Sequence, residues 1–195
     1  IETKTVLTVT AVGGAATGQA DLAPDNESGA LFMNGRLRAG SWSMNGALTY
    51  NEMKQNDDLV PYTLNSAIRG IDFDHSTFAA TDPAQLPTGQ ADTQVDVLSF
   101  YGSANGKLGD AFTLGFKVRY YDYDNGSSRI EFPGYVRYHG VWEEIGRVTV
   151  PYSYTVEDFG ADLGWNFGEA SRLGLAYNRQ SWDRDYREIE ESDED

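Results

Sequence analysis

The chain has 195 residues, the size of one domain, with 30 acidic against 15 basic residues and a formal net charge of −15. That balance argues against a nucleic-acid partner, since phosphates would be repelled, and the absence of cysteine rules out disulfides and thiolate metal sites. No apolar run approaches the ~20 residues of a transmembrane helix, and a mean hydropathy of −0.49 leaves a membrane β-barrel open, because only alternate strand residues of a barrel face lipid.

The N-terminus has no basic region followed by an apolar stretch and a cleavage site, as expected of a mature form or a fragment. Period-two alternation then recurs along the chain, with 21 glycines and 13% aromatic residues, which predicts an all-β architecture. An opening strand over Ile1 to Ala11 alternates weakly, with Leu7, Val9 and Ala11 opposite Thr8 and Thr10. Ala30 to Ala39 and Ser41 to Glu52 form a hairpin about Gly40, the second strand setting Trp42, Met44, Gly46, Leu48 and Tyr50 against Ser41, Ser43, Asn45 and Thr49.

Thr93 to Asn105 alternates Leu98, Phe100, Gly102 and Ala104 against Ser99, Tyr101 and Ser103. Asn105 to Asp110 is rich in turn residues and joins it to the clearest strand, Ala111 to Asp124. There Phe112, Leu114, Phe116, Val118 and Tyr120 share one face, and Thr113, Gly115, Lys117, Arg119 and Tyr121 the other. A third hairpin sets Phe159, Ala161, Leu163, Trp165 and Phe167 against Gly160, Asp162, Gly164 and Asn166, turns at Gly168 to Ser171, and resumes with Leu173, Leu175 and Tyr177.

The expected fold is an antiparallel up-and-down transmembrane β-barrel segment of about seven strands, covering residues 1–187, with an acidic tail or loop at 188–195. Its connections alternate in length: short turns between hairpin strands, and long loops over 12–29, 53–92 and 125–154. Loops beyond ~12 to 15 residues are uncommon in compact soluble domains, whereas short periplasmic turns opposite long extracellular loops are the plan of outer-membrane barrels. Aromatic residues gather towards strand ends, at Tyr50, Tyr120, Tyr121, Tyr123, Trp165, Phe167, Trp182 and Tyr186, where interface girdles would place them. An odd strand count does not close a usual bacterial barrel, so either a strand hides in a loop or the chain is part of a larger barrel.

Alternation assigns Phe112, Leu114, Phe116, Val118, Leu163 and Trp165 to lipid, and Thr113, Lys117, Arg119, Asp162 and Asn166 to a lumen. The polar face, including Arg36 and Arg38, would look the same on the solvated side of a soluble sheet.

Signals for chemistry are weak. His75 and His139 have no partner at metal or triad spacing and read as surface histidines. Asp122, Asp124, Asn125 and Gly126 suggest a calcium loop, but Tyr121 stands five places before the glycine, where that motif needs aspartate; a turn at the membrane rim is the plainer reading. The tail from Glu188 holds six carboxylates in eight residues and reads as a solvated segment rather than an ion site. No phosphate loop, nucleophile elbow or paired acid can be assembled, so no enzyme is expected, and no catalytic, cofactor or metal residue is assigned.

Two stretches go beyond a generic barrel: Tyr50 to Asn65 (YNEMKQNDDLVPYTLN) and Arg119 to Trp142 (RYYDYDNGSSRIEFPGYVRYHGVW). They resemble the decahaem-associated outer-membrane barrels of the MtrB/PioB family, in which a strand end leads through a Gln and acidic pair into a Pro-Tyr-Thr-x-Asn turn. Here these are Gln55, Asp57, Asp58, Leu59, Pro61, Tyr62, Thr63 and Asn65. Family members are much longer and form wide barrels, so the resemblance implies that this chain is a portion; many carry an N-terminal CxxC, which is missing here.

What the resemblance implies is an insulating sheath across the bacterial outer membrane. It holds a periplasmic multihaem c-type cytochrome and lets it meet an extracellular acceptor or a second cytochrome. Haem would then belong to the partner, and this chain would bind no cofactor. A charged haem protein cannot cross a ~30 Å hydrocarbon layer unaided, and a closed ring of strands supplies a polar hole. The competing readings are a diffusion porin or transport barrel, marked by haem-free conductance, and a soluble β-sandwich binding module, marked by detergent-free solubility.

Because 53–92 holds Pro61, Pro83 and Pro87 and loses alternation, it should lie outside the bilayer. A cysteine at Thr81 should react with a membrane-impermeant reagent on intact cells; reaction only after lysis would reverse the orientation.

Overall fold

A computed structural model describes residues 6–10, 16–21, 27–72, 74–132, 147–167 and 171–185. In chain order the elements are β1 (Val6–Thr10), β2 (Ala16–Asp21), β3 (Glu27–Ala39), β4 (Trp42–Gln55), β5 (Arg69–Ile71), β6 (Thr77–Ala79), a 3₁₀ turn (Pro83–Gln85), β7 (Thr93–Leu108), β8 (Phe112–Asn125), β9 (Glu131–Phe132), β10 (Arg147–Val148), β11 (Tyr154–Asn166) and β12 (Arg172–Arg184). The chain divides into two compact units, taken one at a time below.

The first unit comprises Ser28–Met53, Val95–Gly126 and Tyr152–Asp195. Its framework is an antiparallel sheet of six strands in the order β12-β11-β8-β7-β4-β3. The sheet is open, with β3 and β12 at its edges. Its strands run from 13 residues in β3 to 16 in β7, longer than the ~9 to 11 that a tilted strand needs to cross a bilayer.

Three hairpins build it, and their turns all fall at one end. Gly40 and Gly109 adopt φ of +59° and +66°, the left-handed region that glycine enters without a Cβ penalty, so both chain reversals are tight. The turn expected over Asn105 to Asp110 is therefore narrower: β7 stays extended to Leu108, and Asn105, Gly106 and Lys107 pair with Gly115, Leu114 and Thr113.

Six strands, not seven, make this sheet. The opening segment expected as an unpaired strand instead pairs antiparallel with β2, a partner inside the stretch read as a long loop. Its alternation is the weakest of the set.

The second unit comprises Ile1–Glu27, Lys54–Gln94 and Ser127–Pro151. Within it the long connection from β4 to β7 is folded on itself. The Leu59 amide donates to the Gly89 carbonyl at 2.8 Å, and Gln90 Nε2 donates to Asp58 Oδ1 at 2.9 Å. At the foot, Thr93 Oγ1 donates to Gln55 Oε1 at 3.0 Å. Inside, Thr63 and Ala80 are fully buried and Ile68 nearly so.

The Pro-Tyr-Thr-x-Asn turn is the knot of this loop. Thr63 donates its amide to the Ala80 carbonyl, and its hydroxyl accepts from the Asn65 amide at 3.0 Å. Asn65 Oδ1 in turn accepts from the Ala67 amide at 3.0 Å, an Asx turn of the usual kind. Tyr62 packs against Phe78, ring centroids 5.7 Å apart. Burial and nearby Asp72 push the Tyr62 phenol above its ordinary value, so its hydroxyl stays neutral; it is buried with no hydrogen-bond partner among the described residues. His75 sits in a tight turn at φ +69°, where Ser76 hydrogen bonds hold the Asp74 carboxyl below the usual range.

A Cβ on Gly70 would run into the Phe78 ring. Gly70→Ala should therefore loosen the loop by about 1–3 kcal/mol, the usual cost of overpacking, and speed proteolysis within 56–92 while the sheet resists as before. Tyr62→Phe removes only an unsatisfied hydroxyl, so it should leave proteolysis unchanged or slower.

Candidate functional site

In an antiparallel pair, residues directly opposite each other project to the same side. The register therefore tests whether stripes read strand by strand join into continuous faces. Leu163 stands opposite Leu114, Trp165 opposite Phe112, Ala161 opposite Phe116 and Phe159 opposite Val118. On the other flank Leu173 and Leu175 stand opposite Trp165 and Leu163, and Leu108 opposite Phe112. Phe112, Leu114, Phe116, Val118, Leu163 and Trp165 thus lie on one face of the sheet, with Phe112 stacked on Trp165 at 6.1 Å.

Thr113, Lys117, Arg119, Asp162 and Asn166 lie together on the opposite face, since Gly164, Gly160, Asp158 and Gly115 are their partners or neighbours across the β8–β11 pair. The hydrogen bond from Asn45 Nδ2 to Ser103 Oγ, 3.4 Å, carries this polar face on to β4. That from Arg36 Nη2 to Ser43 Oγ, 3.4 Å, carries it to β3.

The polar wall is low. A Cβ on Gly115 would strike the Asp162 carboxylate, one on Gly160 would strike Lys117, and one on Gly164 would strike Thr113 and Arg172. Long side chains thus lie flat over glycines of neighbouring strands instead of standing upright. Arg119 meets Asp158 at 3.7 Å, with the arginine side chain 55% exposed, so the pair adds little stability. Gln180 Nε2 donates to the same carboxylate at 2.7 Å.

Alternation does not hold to the end of the strands. Towards the long connections the faces exchange character. On the apolar face Tyr120 is followed by Asp122 and Asp124, and opposite them stand Leu98 and Asp96. These carboxylates are solvated and bonded: Asp122 Oδ1 accepts from Thr155 Oγ1 at 2.7 Å, and Asp96 Oδ1 from Tyr50 Oη at 2.8 Å.

On the polar face at the same level, Tyr154 stacks on Trp182 and on Tyr121, each at 5.8 Å, and on Tyr123 at 5.2 Å. Tyr123 meets Tyr152 at 6.0 Å, and Val97 and Val156 are buried beneath. Tyr121, Tyr123 and Trp182, grouped with Tyr50, Tyr120 and Trp165 as candidates for interface girdles, lie on the opposite face from those three; for Tyr121 this is the polar face on which alternation along β8 places it. Tyr186, His139 and the acidic tail lie outside the described residues.

The apolar stretch from Phe112 to Tyr120 runs roughly 27 Å along β8 at ~3.4 Å per residue, or about 20 Å of height at a ~40° tilt, close to the ~25 Å apolar band of an outer-membrane barrel. A sheet with one such band, and short turns opposite long connections, has the anatomy of a barrel wall. The family model described as "Putative outer membrane beta-barrel porin, MtrB/PioB" matches residues 3–195.

The chain belongs to the MtrB/PioB family. It is thus a member of a family of outer-membrane β-barrels of porin type, and its sheet is a piece of wall that six strands leave open. A comparison with curated proteins gives no match. The Gln55 to Asn65 motif that carries the MtrB/PioB resemblance fastens the loop between β4 and β7.

If the apolar face of this MtrB/PioB chain contacts lipid, Phe116→Arg should destabilise the full-length barrel by ~2–4 kcal/mol in bilayers, the midplane cost for a cation, as measured by denaturant unfolding in vesicles. Thr113→Arg, three residues away on the polar face, should be close to neutral.

Proposed function

We propose that this chain forms part of an outer-membrane sheath whose lumen holds a multihaem c-type cytochrome of the periplasm, which passes electrons to an acceptor or second cytochrome outside the cell. In this reading the barrel is structural and non-enzymatic, the apolar face meets outer-membrane lipid, and Thr113, Lys117, Arg119, Asp162 and Asn166 face the lumen. Haem belongs to the partner.

The observation that carries the reading is the low polar wall. Asp162, Lys117 and Arg172 lie over Gly115, Gly160 and Gly164, giving a flat surface that a folded protein can approach closely. A side chain that narrows an open pore must instead stand out into it. Membership of the MtrB/PioB family supports the outer-membrane setting, and the resemblance in the loop motifs supports the haem-bearing partner.

Photo-crosslinkers on cysteines placed singly at Thr113 and Asn166 of the full-length protein test this. Both positions should capture a haem-staining protein, and Leu114 and Leu163 should not. Free reaction of the lumen positions with small water-soluble reagents, with no protein captured, would replace the sheath with an open diffusion porin.

A further inference from the structure

The polar face carries a charge opposite to that of the chain. At the level of the apolar band it holds Arg36, Arg38, Lys107, Lys117, Arg119 and Arg172 against only Asp158 and Asp162. The protein as a whole carries −15. On these same strands the acidic residues gather elsewhere: Glu27, Glu52, Asp96, Asp122, Asp124, Glu157 and Asp183 share the other face, against Lys54 and Arg179.

Little of the positive charge is neutralised within the sheet. Asp158 is taken up by Arg119 and Gln180. Among the described residues no carboxylate lies within ion-pair distance of Arg36, Lys107, Lys117 or Arg172. Arg36 and Arg172 rest instead on the hydroxyls of Ser43 and Thr113, each at 3.4 Å. A lumen lined with one sign of charge and walled by hydrocarbon focuses its field inward. Counter-charge brought close to it relieves its self-repulsion. Screening over about 8 Å at physiological salt means that this counter-charge must come close, and the flat wall allows it to.

We propose that this face docks a carboxylate-rich protein surface: the occupant of the lumen presents acidic side chains to the basic wall. The proposal rests on the sheath reading and names the chemistry of the surface that the cytochrome turns towards these strands. The uncompensated cations make the contact selective for acidic partners.

The test uses the full-length barrel purified with its partner, reading haem absorbance per barrel at about 0.15 M and about 1 M salt. A variant with Arg36→Gln, Lys107→Gln, Lys117→Gln and Arg172→Gln should retain about tenfold less haem at the lower salt, the sum of several partly screened charge contacts. Its retention should also lose most of its dependence on salt. A companion with Arg36→Lys, Lys107→Arg, Lys117→Arg and Arg172→Lys keeps the charge and changes the shape, and should hold haem as the native barrel does. Heat-modifiable migration in gels reports that each variant is folded. Equal haem in the glutamine variant and the native barrel, or equal loss in both variants, overturns the acidic contact while leaving the sheath in place. A native barrel without haem at either salt overturns the sheath itself and the protein contact with it.

Discussion

Hydrocarbon offers no hydrogen-bond partner to a peptide group, and an unsatisfied one costs several kcal/mol. Strands that cross a bilayer must therefore pair along their whole length with neighbours, and the pleat then delivers alternate side chains to two different solvents. Everything in this sheet follows from that pairing. β8 keeps an unbroken register with β7 and β11 over nearly all its residues, so a stripe on one strand becomes a face across several. The open edges at β3 and β12 leave the same backbone demand outstanding, and further strands of the barrel are what meet it.

The faces were legible in the residues because alternation is a local property. Phe112 to Val118 is apolar at every even position, and the same parity brings Leu163 and Trp165 onto that face once the register is known. The hairpin turns were legible too, through Gly40 and the glycine-rich stretch around Gly109. Pairing partners were less so: Val6–Thr10 carries strand chemistry, but nothing in its alternation says that it joins β2 and not the large sheet. The fold inside the β4–β7 connection was hidden for another reason. Its core of Thr63, Ile68 and Ala80 is too small to leave a periodic trace, and a buried threonine looks like a loop threonine until its hydrogen bonds are seen.

The candidate lumen face shows the same division. That Lys117 and Arg119 share a side with Asp162 follows from parity and register. That long side chains lie flat over Gly115, Gly160 and Gly164 could not be read from one strand, because each glycine makes room for a residue on its neighbour. The aromatic cluster beyond Tyr120 needed the register as well: parity along β8 separates Tyr120 from Tyr121, but only the pairing with β11 and β12 brings Tyr154 and Trp182 beside Tyr121 and Tyr123. Tyr120 and Tyr121 are neighbours in sequence and stand on opposite sides of the wall.

In an outer membrane the exchange of faces beyond Tyr120 would also set the height at which the wall rides. On the apolar face Glu157 stands opposite Tyr120, and Asp122 and Asp124 follow above it, so a wall that meets lipid on this face and sinks by two residues along β8, about 7 Å of strand, would press carboxylates into the acyl chains. Rising by the same amount would draw the polar turn at Gly109 and Asp110 into the hydrocarbon at the other border and lift Val118 and Tyr120 out of it at this one, exposing apolar area worth ~25 cal/mol per Å². The two penalties rise in opposite directions, and their crossing point is a restoring force: in lipid such a wall would behave as a float with its waterline painted on by sequence.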